Sequence, residues 1–386
     1  MRRKIQSSLL SFAFLFCFAT LVLSQQPPSS GSDASQAGPP QSGPPNPVLT
    51  NRPPPKVSAP VSAVRAEGAV QLDVVVSDGA GKAVSGLEPW NFTVLDNNQP
   101  RKILSFHAYD GITVKPDPLV EVVLVIDTAN LPFQQVAFVR AQVDAFLRQD
   151  GGHLRQPVTL LLMSEAGMRV QPRPSVDGNA LAGVVSQIKG SINTINPAMG
   201  GEGYVERFQS SIKQMVTIAE NETRKPGRKL LVWVGPGWPM LNRPADGYSE
   251  RTQRRYFEGI VELSTRLREA RMVVYSVAPS SSGPNTLNLL YQDYLKGVKA
   301  YRQAESGNLG LKVLAIQTGG LIMGPDNDLV NQINRCIDDA NVFYRISFNP
   351  PGTDHADEYH DLKVQVSKPG LTVHTNTSYY NQPPAH

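Results

Sequence analysis

Four continuous apolar runs alternate with stretches of helical periodicity across the middle of the chain, and this pattern most constrains the fold. The first run is VEVVLVID, at residues 120–127, and the others are PVTLLLMS, RKLLVWVG and RMVVYSVA. Runs without polar alternation are typical of strands covered on both faces. The intervening segments repeat apolar residues at steps of three and four, as amphipathic helices do. Residues 117–340 are therefore predicted to form an α/β domain, a three-layer α/β/α sandwich with a mainly parallel central sheet.

The segments on either side of this domain have the period-two pattern of antiparallel strands. In residues 65–116, Val70, Leu72 and Val74 alternate with other residues, and DGAGK follows as a turn. Residues 341–381 return to the same alternation. Two or three strands need a further surface to be stable. The two segments are therefore predicted to pack together as a small antiparallel β-sandwich module, and the alternative is two separate β appendages.

The N-terminus has the organisation of a secretory signal. Arg2, Arg3 and Lys4 precede an apolar run that ends before Ser24, so residues 1–24 are predicted to be a cleaved signal peptide. The alternative is a membrane anchor, but the run is shorter than the roughly 20 apolar residues of a spanning helix. Residues 25–64 are rich in Pro, Ser and Gly and are predicted to be a disordered linker. The expected destination is the periplasm, the cell envelope or the medium, with no transmembrane segment after cleavage.

Charge and cysteine content narrow the classes of partner. Signal cleavage would remove three of the 37 basic residues and none of the 33 acidic ones, which lowers the formal net charge from +4 to +1. A nearly neutral chain has no basic field for nucleic acid. Only Cys336 would remain, so no internal disulfide is expected.

The end of the first apolar strand is the strongest candidate for a binding site. Asp127 ends the strand, and Asn130 can cap the helix that follows. Ligands of open α/β sheets bind beyond the carboxyl ends of parallel strands. Asp127 could serve there as a ligand-contact residue or only as a hydrogen-bond acceptor for local amides.

A second loop, GPGWP, follows the strand KLLVWV and is expected at the same edge. Two glycines, Gly235 and Gly237, and two prolines hold it in a restricted shape, and Trp238 is either an interface anchor or a lid packed against the sheet. Asp127, Asn130, Gly235, Gly237 and Trp238 are the ligand-contact candidates.

The order of these elements, an apolar strand ending in Asp127 and followed at once by a helix, resembles a von Willebrand factor type A domain. The flanks VQLDVVVSDGAGKAVSGLEPWNFTVLDNNQPRKILSF and YHDLKVQVSKPGLTVHTNTSYY are similar to those of the VWFA-related domain family of acidobacterial type. Together the resemblance covers about residues 69–380.

The resemblance implies a site for Mg²⁺, whose first loop reads Asp-x-Ser-x-Ser. Here Ala129 and Leu131 occupy the positions of the two hydroxyl residues, and Gly235 stands where a further aspartate is expected. Thr194 or Ser191 could supply a hydroxyl from a second loop. Because Mg²⁺ needs near-octahedral oxygen coordination, no metal and no cofactor are expected here.

No nucleophile elbow, phosphate loop or zinc-spaced set of ligands is present in the sequence. The string DHADEYHD, residues 354–361, could hold a metal but is better explained as a solvated turn. Cys336 lies beside Ile333 and Ile337 on a predicted helix, where buried packing is expected.

The first hypothesis is therefore an exported, non-enzymatic protein that binds another protein, in interaction or adhesion, through a metal-free domain. The alternative is an adhesion module that depends on a divalent cation, with a rearranged metal site around Asp127. An unrecognised hydrolase, whose nucleophile and base meet only in space, is a third and weaker possibility.

Overall fold

The protein is described by a computed structural model, which covers residues 68–188, 200–238, 247–279, 291–324 and 326–383. These residues belong to one compact unit, Val61–His386. The predicted signal peptide, residues 1–24, and the predicted linker, residues 25–64, lie outside the described residues, as do Thr194 and Ser191.

The described residues form strands and helices in a mixed order. The strands are β1 (Val70–Ser77), β2 (Phe92–Asp96), β3 (Gln99–Arg101), β4 (Ile103–Tyr109), β5 (Glu121–Asp127), β6 (His153–Ser164), β7 (Gly167–Val170), β8 (Ser175–Asp177), β9 (Lys229–Val234), β10 (Met272–Val277), β11 (Phe343–Phe348), β12 (Glu358–Val366), β13 (Thr372–His374) and β14 (Ser378–Asn381). The helices are α1 (Phe133–Leu147), α2 (Gly178–Ser186), α3 (Gly200–Thr223), α4 (Glu250–Glu269), α5 (Leu311–Gln317) and α6 (Leu329–Asp338).

The central sheet is mixed. Its strand order is β10-β9-β5-β6-β7, and β8 pairs with a second part of β6. The four strands from β10 to β6 run parallel, whereas β7 and β8 are antiparallel to β6. Strand β5 lies in the middle and is buried along its whole length, as its continuous apolar sequence predicts.

The two faces of the mixed sheet carry separate apolar clusters, because alternate residues of β5 point to opposite sides. Val122 and Leu124 belong to the cluster formed with α1, α2 and α6. Val123 and Val125 belong to the cluster formed with α3, α4 and α5. Burying both faces in this way gives the strand-end residues a fixed backbone position.

The other two sheets are entirely antiparallel, and each combines strands from both ends of the chain. Their orders are β13-β1-β11-β4 and β14-β12-β2-β3. A third apolar cluster lies between them and includes Leu72, Val74, Val94 and Val364. We call these two sheets and their shared core the β module.

An ion pair joins the β module to the end of α4. The guanidinium group of Arg271 donates to both carboxylate oxygens of Asp73, at 2.7 Å to Oδ1 and 3.1 Å from Nε to Oδ2. Asp73 lies on β1, and its carboxylate is buried. A bidentate pair of this kind fixes orientation as well as distance.

The predicted three-layer α/β/α sandwich with a mainly parallel central sheet is wrong. Among the described residues, three strand pairs are parallel and eight are antiparallel, and the fold is a mixed α/β arrangement with two all-antiparallel sheets. The reason is that an apolar run reports burial on both faces but not strand direction. The chain turns back after Ser164 into β7, so the central sheet itself changes direction at one side.

Candidate functional site

The carboxylate of Asp127 is enclosed at the end of β5 and is fully engaged by neighbouring groups. Its Oδ1 accepts a hydrogen bond of 3.0 Å from the backbone N–H of Asn130. Its Oδ2 accepts one of 2.9 Å from Nδ2 of Asn130 and another of 2.9 Å from Nε1 of Trp233. The side chain is 0% exposed. Asp127 therefore holds the loop to α1 in place and links it to β9.

Strand register explains the contact between Asp127 and Trp233. Strands β5 and β9 run parallel with Val125 paired to Trp233, which brings the indole to the level of the strand end. Gly235 follows directly, and a Cβ atom at that position would lie 2.8 Å from the Cβ of Asp127. Only glycine fits here without a shift of the backbone, because real Cβ atoms do not approach so closely.

Burial changes the acidity of this carboxyl group. Desolvation raises the pKa of Asp127 above its ordinary value, although the hydrogen bonds from Asn130 and Trp233 favour the ionised form. No basic side chain is among the causes of the shift. The group is therefore held by neutral donors, in a setting that disfavours its charge.

Asn130 connects this cluster to α3. Its Nδ2 also lies 3.2 Å from the hydroxyl oxygen of the buried Ser211, and no local pattern predicts this contact because the two residues are 81 positions apart. Its Oδ1 is buried and accepts no hydrogen bond from the part of the chain that the structure describes. Asn130 thus works as a bridge between β5 and α3 as well as a donor to Asp127.

Gly237 and Trp238 also face the interior. A Cβ atom at Gly237 would lie 3.1 Å from the side chain of Leu311, and the φ angle of +74° favours glycine. Trp238 is 1% exposed and donates from Nε1 to the carbonyl of Leu309 at 3.0 Å. Its ring meets Trp233 edge to face, with 5.2 Å between the ring centres. Trp238 is therefore packed as a lid over the strand end.

These residues do not fit Mg²⁺. Asp127 is the only carboxylate of the set, and its two oxygens already accept three hydrogen bonds. Ala129 and Leu131 are buried apolar side chains that offer no oxygen. Close packing at Gly235 leaves no space for an aspartate there. A hard cation would have to replace these contacts with a single charged ligand, which is too few for octahedral coordination.

A second polar cluster lies in the β module and includes His360, from the string DHADEYHD. His360 is on β12 and is only 2% exposed, so the prediction that this whole string is a solvated turn is wrong for its second half. Nδ1 of His360 lies 2.6 Å from Oδ1 of Asp96, and the hydroxyl of Tyr379 donates to Oδ2 of Asp96 at 3.0 Å. Arg101 completes the cluster, with its Nε 3.2 Å from Asp96. In the described part of the chain, no three His, Cys, Asp or Glu side chains are grouped to hold a metal ion.

Trp90 is the most exposed aromatic side chain among the exposed large hydrophobic residues, at 78%. It lies in a short 3₁₀ turn, Pro89–Asn91, directly before β2. Asn91 fixes this turn, since its Oδ1 accepts from the N–H of Glu88 and its carbonyl accepts from the N–H of Ser367. Trp90 is not among the ligand-contact candidates predicted from the sequence. Proline and asparagine are typical turn residues, so the order Pro89-Trp90-Asn91 indicates a turn in which the Trp90 side chain can be exposed.

Comparisons with known proteins give only distant similarity. No protein-family model matches the sequence, and no curated protein matches it. The open conformation of the pilus adhesin SpaC from Lactobacillus rhamnosus GG matches over 78% of this chain and 42% of its own, with 11% identity and a TM-score of 0.34. Proximal thread matrix protein 1 from the mussel byssus matches over 57% and 48%, with 13% identity and a TM-score of 0.31.

The human COPII-coat protein Sec24c matches over 69% of this chain and 44% of its own, with 9% identity and a TM-score of 0.30. The chain thus spans less than half the length of each of these three structures, and the scores are too low to transfer a function. Among the described residues, no helix combines the length and the apolar character needed to cross a membrane.

Proposed function

We propose that this chain is an exported, non-enzymatic protein that binds another protein, in interaction or adhesion, and does so through its β module. The observation that carries the proposal is Trp90, a large aromatic side chain that is 78% exposed. Tryptophan is enriched among the residues that contribute most to protein interfaces. Burying an exposed side chain of this size against a partner is favourable, because it removes apolar surface from water.

The turn around Trp90 is held by hydrogen bonds within the chain itself. Asn91 accepts from the N–H of Glu88 at 2.9 Å and from the N–H of Ser367 at 2.9 Å, and its Nδ2 lies 3.4 Å from the Ser367 hydroxyl. Pro89 fixes one backbone angle in the same turn. Binding therefore requires little further ordering of the backbone, which reduces the entropy cost of association.

The strand-end loops are less suited to contact a partner. Asp127 and Trp238 are buried at 0% and 1% exposure, and both use their polar atoms within the chain. The thiol of Cys336 is buried as well, and burial raises its pKa, so it is not a ready nucleophile. Neither the strand-end loops nor the Cys336 thiol therefore carries the proposed function, which is placed on the β module instead.

Site-specific photo-cross-linking tests the proposal. A photoreactive phenylalanine analogue at position 90 should form covalent adducts with a protein partner when the full chain is expressed in its source cells. The matched control places the same analogue at Phe133, an aromatic side chain that is 52% exposed at the start of α1. An adduct specific to position 90, identified by mass spectrometry, supports the proposal. No adduct at position 90, or the same adducts at both positions, contradicts it.

A further inference from the structure

Strand β12 has one edge, the edge facing β14, along which only its first half is paired. On one side it pairs with β2 over Leu362–Val366. On the other side it pairs with β14 only over Glu358–Asp361. The chain then leaves this edge at Thr377, so the second half of β12 has no hydrogen-bonded strand on this side among the described residues, although β13 lies nearby.

The direction of the backbone groups on this half can be derived from three hydrogen bonds. The N–H of Leu362 donates toward the β14 side, to the carbonyl of Thr377. The N–H of Ser367 donates to Asn91, and the carbonyl of Asp361 accepts from Asn97, both on the β2 side. Backbone groups alternate between the two edges of a strand. The N–H and C=O groups of Val364 and Val366 therefore point to the open edge.

A cleft of about 730 Å³ lies along this part of β12. Its walls are Leu362–Ser367 on one side and Leu371–Val373 with Thr375–Thr377 on the other. Val366, Leu371 and Val373 are partly buried and pack on the apolar core of the β module, so the cleft reaches apolar side chains at its base. Its volume is within the range of about 300–1,000 Å³ that is usual for ligand sites.

The opposite wall includes another strand edge. Strand β13 pairs with β1 on one side and is the terminal strand of its sheet. The cleft is therefore a gap between the two antiparallel sheets, with an incomplete strand edge on either side. The four residues Lys363–Val366, which follow the paired residue Leu362, span about 14 Å when extended, which matches a peptide segment of about four residues.

The charges at the cleft favour an acidic occupant. Lys363 is the one charged side chain in its lining, and no carboxylate lines it. Lys363 is exposed, and Lys368 follows in the exposed turn at the end of β12. Trp90 is near that same end, since the adjacent Asn91 bonds to Ser367. An extended segment in the cleft would thus lie close to the proposed interface anchor.

We propose that this cleft binds an extended peptide segment of another protein, apolar at alternate positions and acidic at its ends, which adds as a strand to the open edge of β12. Main-chain hydrogen bonds to Val364 and Val366 provide the pairing, and alternate apolar side chains enter the base of the cleft. The inference rests on the proposed protein-binding function and specifies the chemistry of the partner.

The probe is a synthetic peptide of seven residues, in which valine and threonine alternate between an aspartate at each end. Isothermal titration calorimetry on the full chain should give saturable binding with a Kd below about 1 mM. Two further peptides carry the same side chains but have N-methyl groups on alternate amides, in either register. At least one of them should bind about tenfold more weakly, because a methylated amide cannot donate to a strand. Equal binding of all three peptides, or no binding of the first, overturns the proposal.

Substitutions on the protein give an independent test. Val366→Pro removes an N–H that points to the cleft and leaves the β2 ladder intact, and it should weaken peptide binding about tenfold. Val366→Thr keeps the N–H and the branched shape and should bind within about twofold of wild type. If the proline variant melts far below wild type, the methylated peptides on the wild-type chain decide the question.

Charge reversal checks the preference for acidic ends. Lys363→Glu should weaken the aspartate peptide and strengthen a matched peptide with lysine at both ends, whereas no change in either contradicts the assignment. The two proposals can fail separately. If position 90 cross-links to a partner but the peptide does not bind, the protein-binding function stands and strand addition is rejected. If the peptide binds but position 90 forms no cross-link, the cleft stands as a peptide site and Trp90 is rejected as the anchor.

Discussion

The indole Nε1 of Trp233 donates a hydrogen bond of 2.9 Å to the carboxylate of Asp127, with both side chains 0% exposed. The two residues lie on neighbouring parallel strands, β5 and β9. A carboxylate at the end of a strand in an α/β protein can bind a ligand, but the oxygens of Asp127 accept hydrogen bonds from Trp233 and Asn130 of the same chain. Its remaining hydrogen bonds come from Asn130, so the strand end is closed by its own chain.

The first prediction concerns the pH dependence of stability. Because burial raises the pKa of Asp127, the folded chain holds this proton to a higher pH than the unfolded chain does. Its contribution to stability is fully present below the unfolded pKa of about 3.9 and is lost as the pH rises through the folded pKa. Asp127→Asn cannot ionise. Urea unfolding from pH 4 to pH 7 should show the free-energy difference, wild type minus variant, falling as the pH rises.

The control for this series is Asp293→Asn, at an exposed aspartate. A fall as large in this control as in Asp127→Asn would show that the effect does not come from the burial of Asp127. A rising difference for Asp127→Asn would mean that the donors around the carboxylate outweigh its desolvation.

The second prediction concerns magnesium. Calorimetric titration of the full chain with Mg²⁺ should show no Asp127-dependent binding with a Kd below about 1 mM. The reason is that a single buried carboxylate, whose oxygens already accept hydrogen bonds, cannot replace the water shell of the ion. Wild type and Asp127→Ala should give the same trace. Heat of binding that is present in wild type and lost in the variant would restore the cation-dependent alternative.

The third prediction concerns the ion pair between the β module and α4. Burial by itself would raise the pKa of Asp73, but the guanidinium groups of Arg271, Arg228 and Arg345 lower it below the ordinary value. Arg271→Met removes the bidentate partner from a carboxylate that is 6% exposed and should cost about 3 kcal/mol of unfolding free energy at pH 7. Arg254→Met breaks an exposed pair with Glu250 and should cost much less than Arg271→Met, because solvent screens an exposed pair.

The lowered pKa also fixes the sign of the pH effect at Asp73. The stabilisation is present above the unfolded pKa and is lost as the pH falls through the folded pKa, so the difference between wild type and Arg271→Met should shrink below about pH 4. Equal losses for the two arginine variants at pH 7 would show that Asp73 and Arg271 are no stronger than a surface pair.

The fourth prediction concerns the polar cluster inside the β module. Asp96 is buried and accepts from His360 and Tyr379, and Arg101 lies beside it. Asp96→Ala leaves these donors unpaired in the core and should lower the unfolding free energy by about 3 kcal/mol, measured in urea. Tyr379→Phe removes one donor and should cost about 1 kcal/mol. The control is Asp361→Ala, at an exposed site beside His360 on β12. A loss of unfolding free energy at Asp361 as large as that at Asp96 would contradict a specific role for the cluster.

Several elements could be predicted from the sequence because their signals are local. The helical periodicity predicted between the apolar runs is confirmed in α4, Glu250–Glu269, where Ser249 accepts from the N–H of Thr252 as an N-cap. Apolar spacing set its buried face, and the serine set its start. Burial of Cys336 is also confirmed, since its neighbours Ile333 and Ile337 face the same core.

His360 shows where a local signal was present but misinterpreted. The alternation of Leu362, Val364 and Val366 extends back by one step to His360, which points to the same interior. The surrounding acidic residues indicated a solvated turn instead. Composition outweighed periodicity in that interpretation, and a buried partner for the imidazole, Asp96, was distant in the sequence.

Local sequence patterns predicted many of the strands and helices, their apolar faces and the strand end at Asp127, because these properties depend on neighbours within a few residues. Strand direction, the enclosure of Asp127 by Trp233 and the open edge of β12 could be seen only in the folded chain. Each of these depends on which distant segments lie side by side, and hydrogen bonds between strands are set by register and connection rather than by the composition of either strand. A mainly parallel sheet was therefore predicted from correct strands, and a mixed fold formed from them.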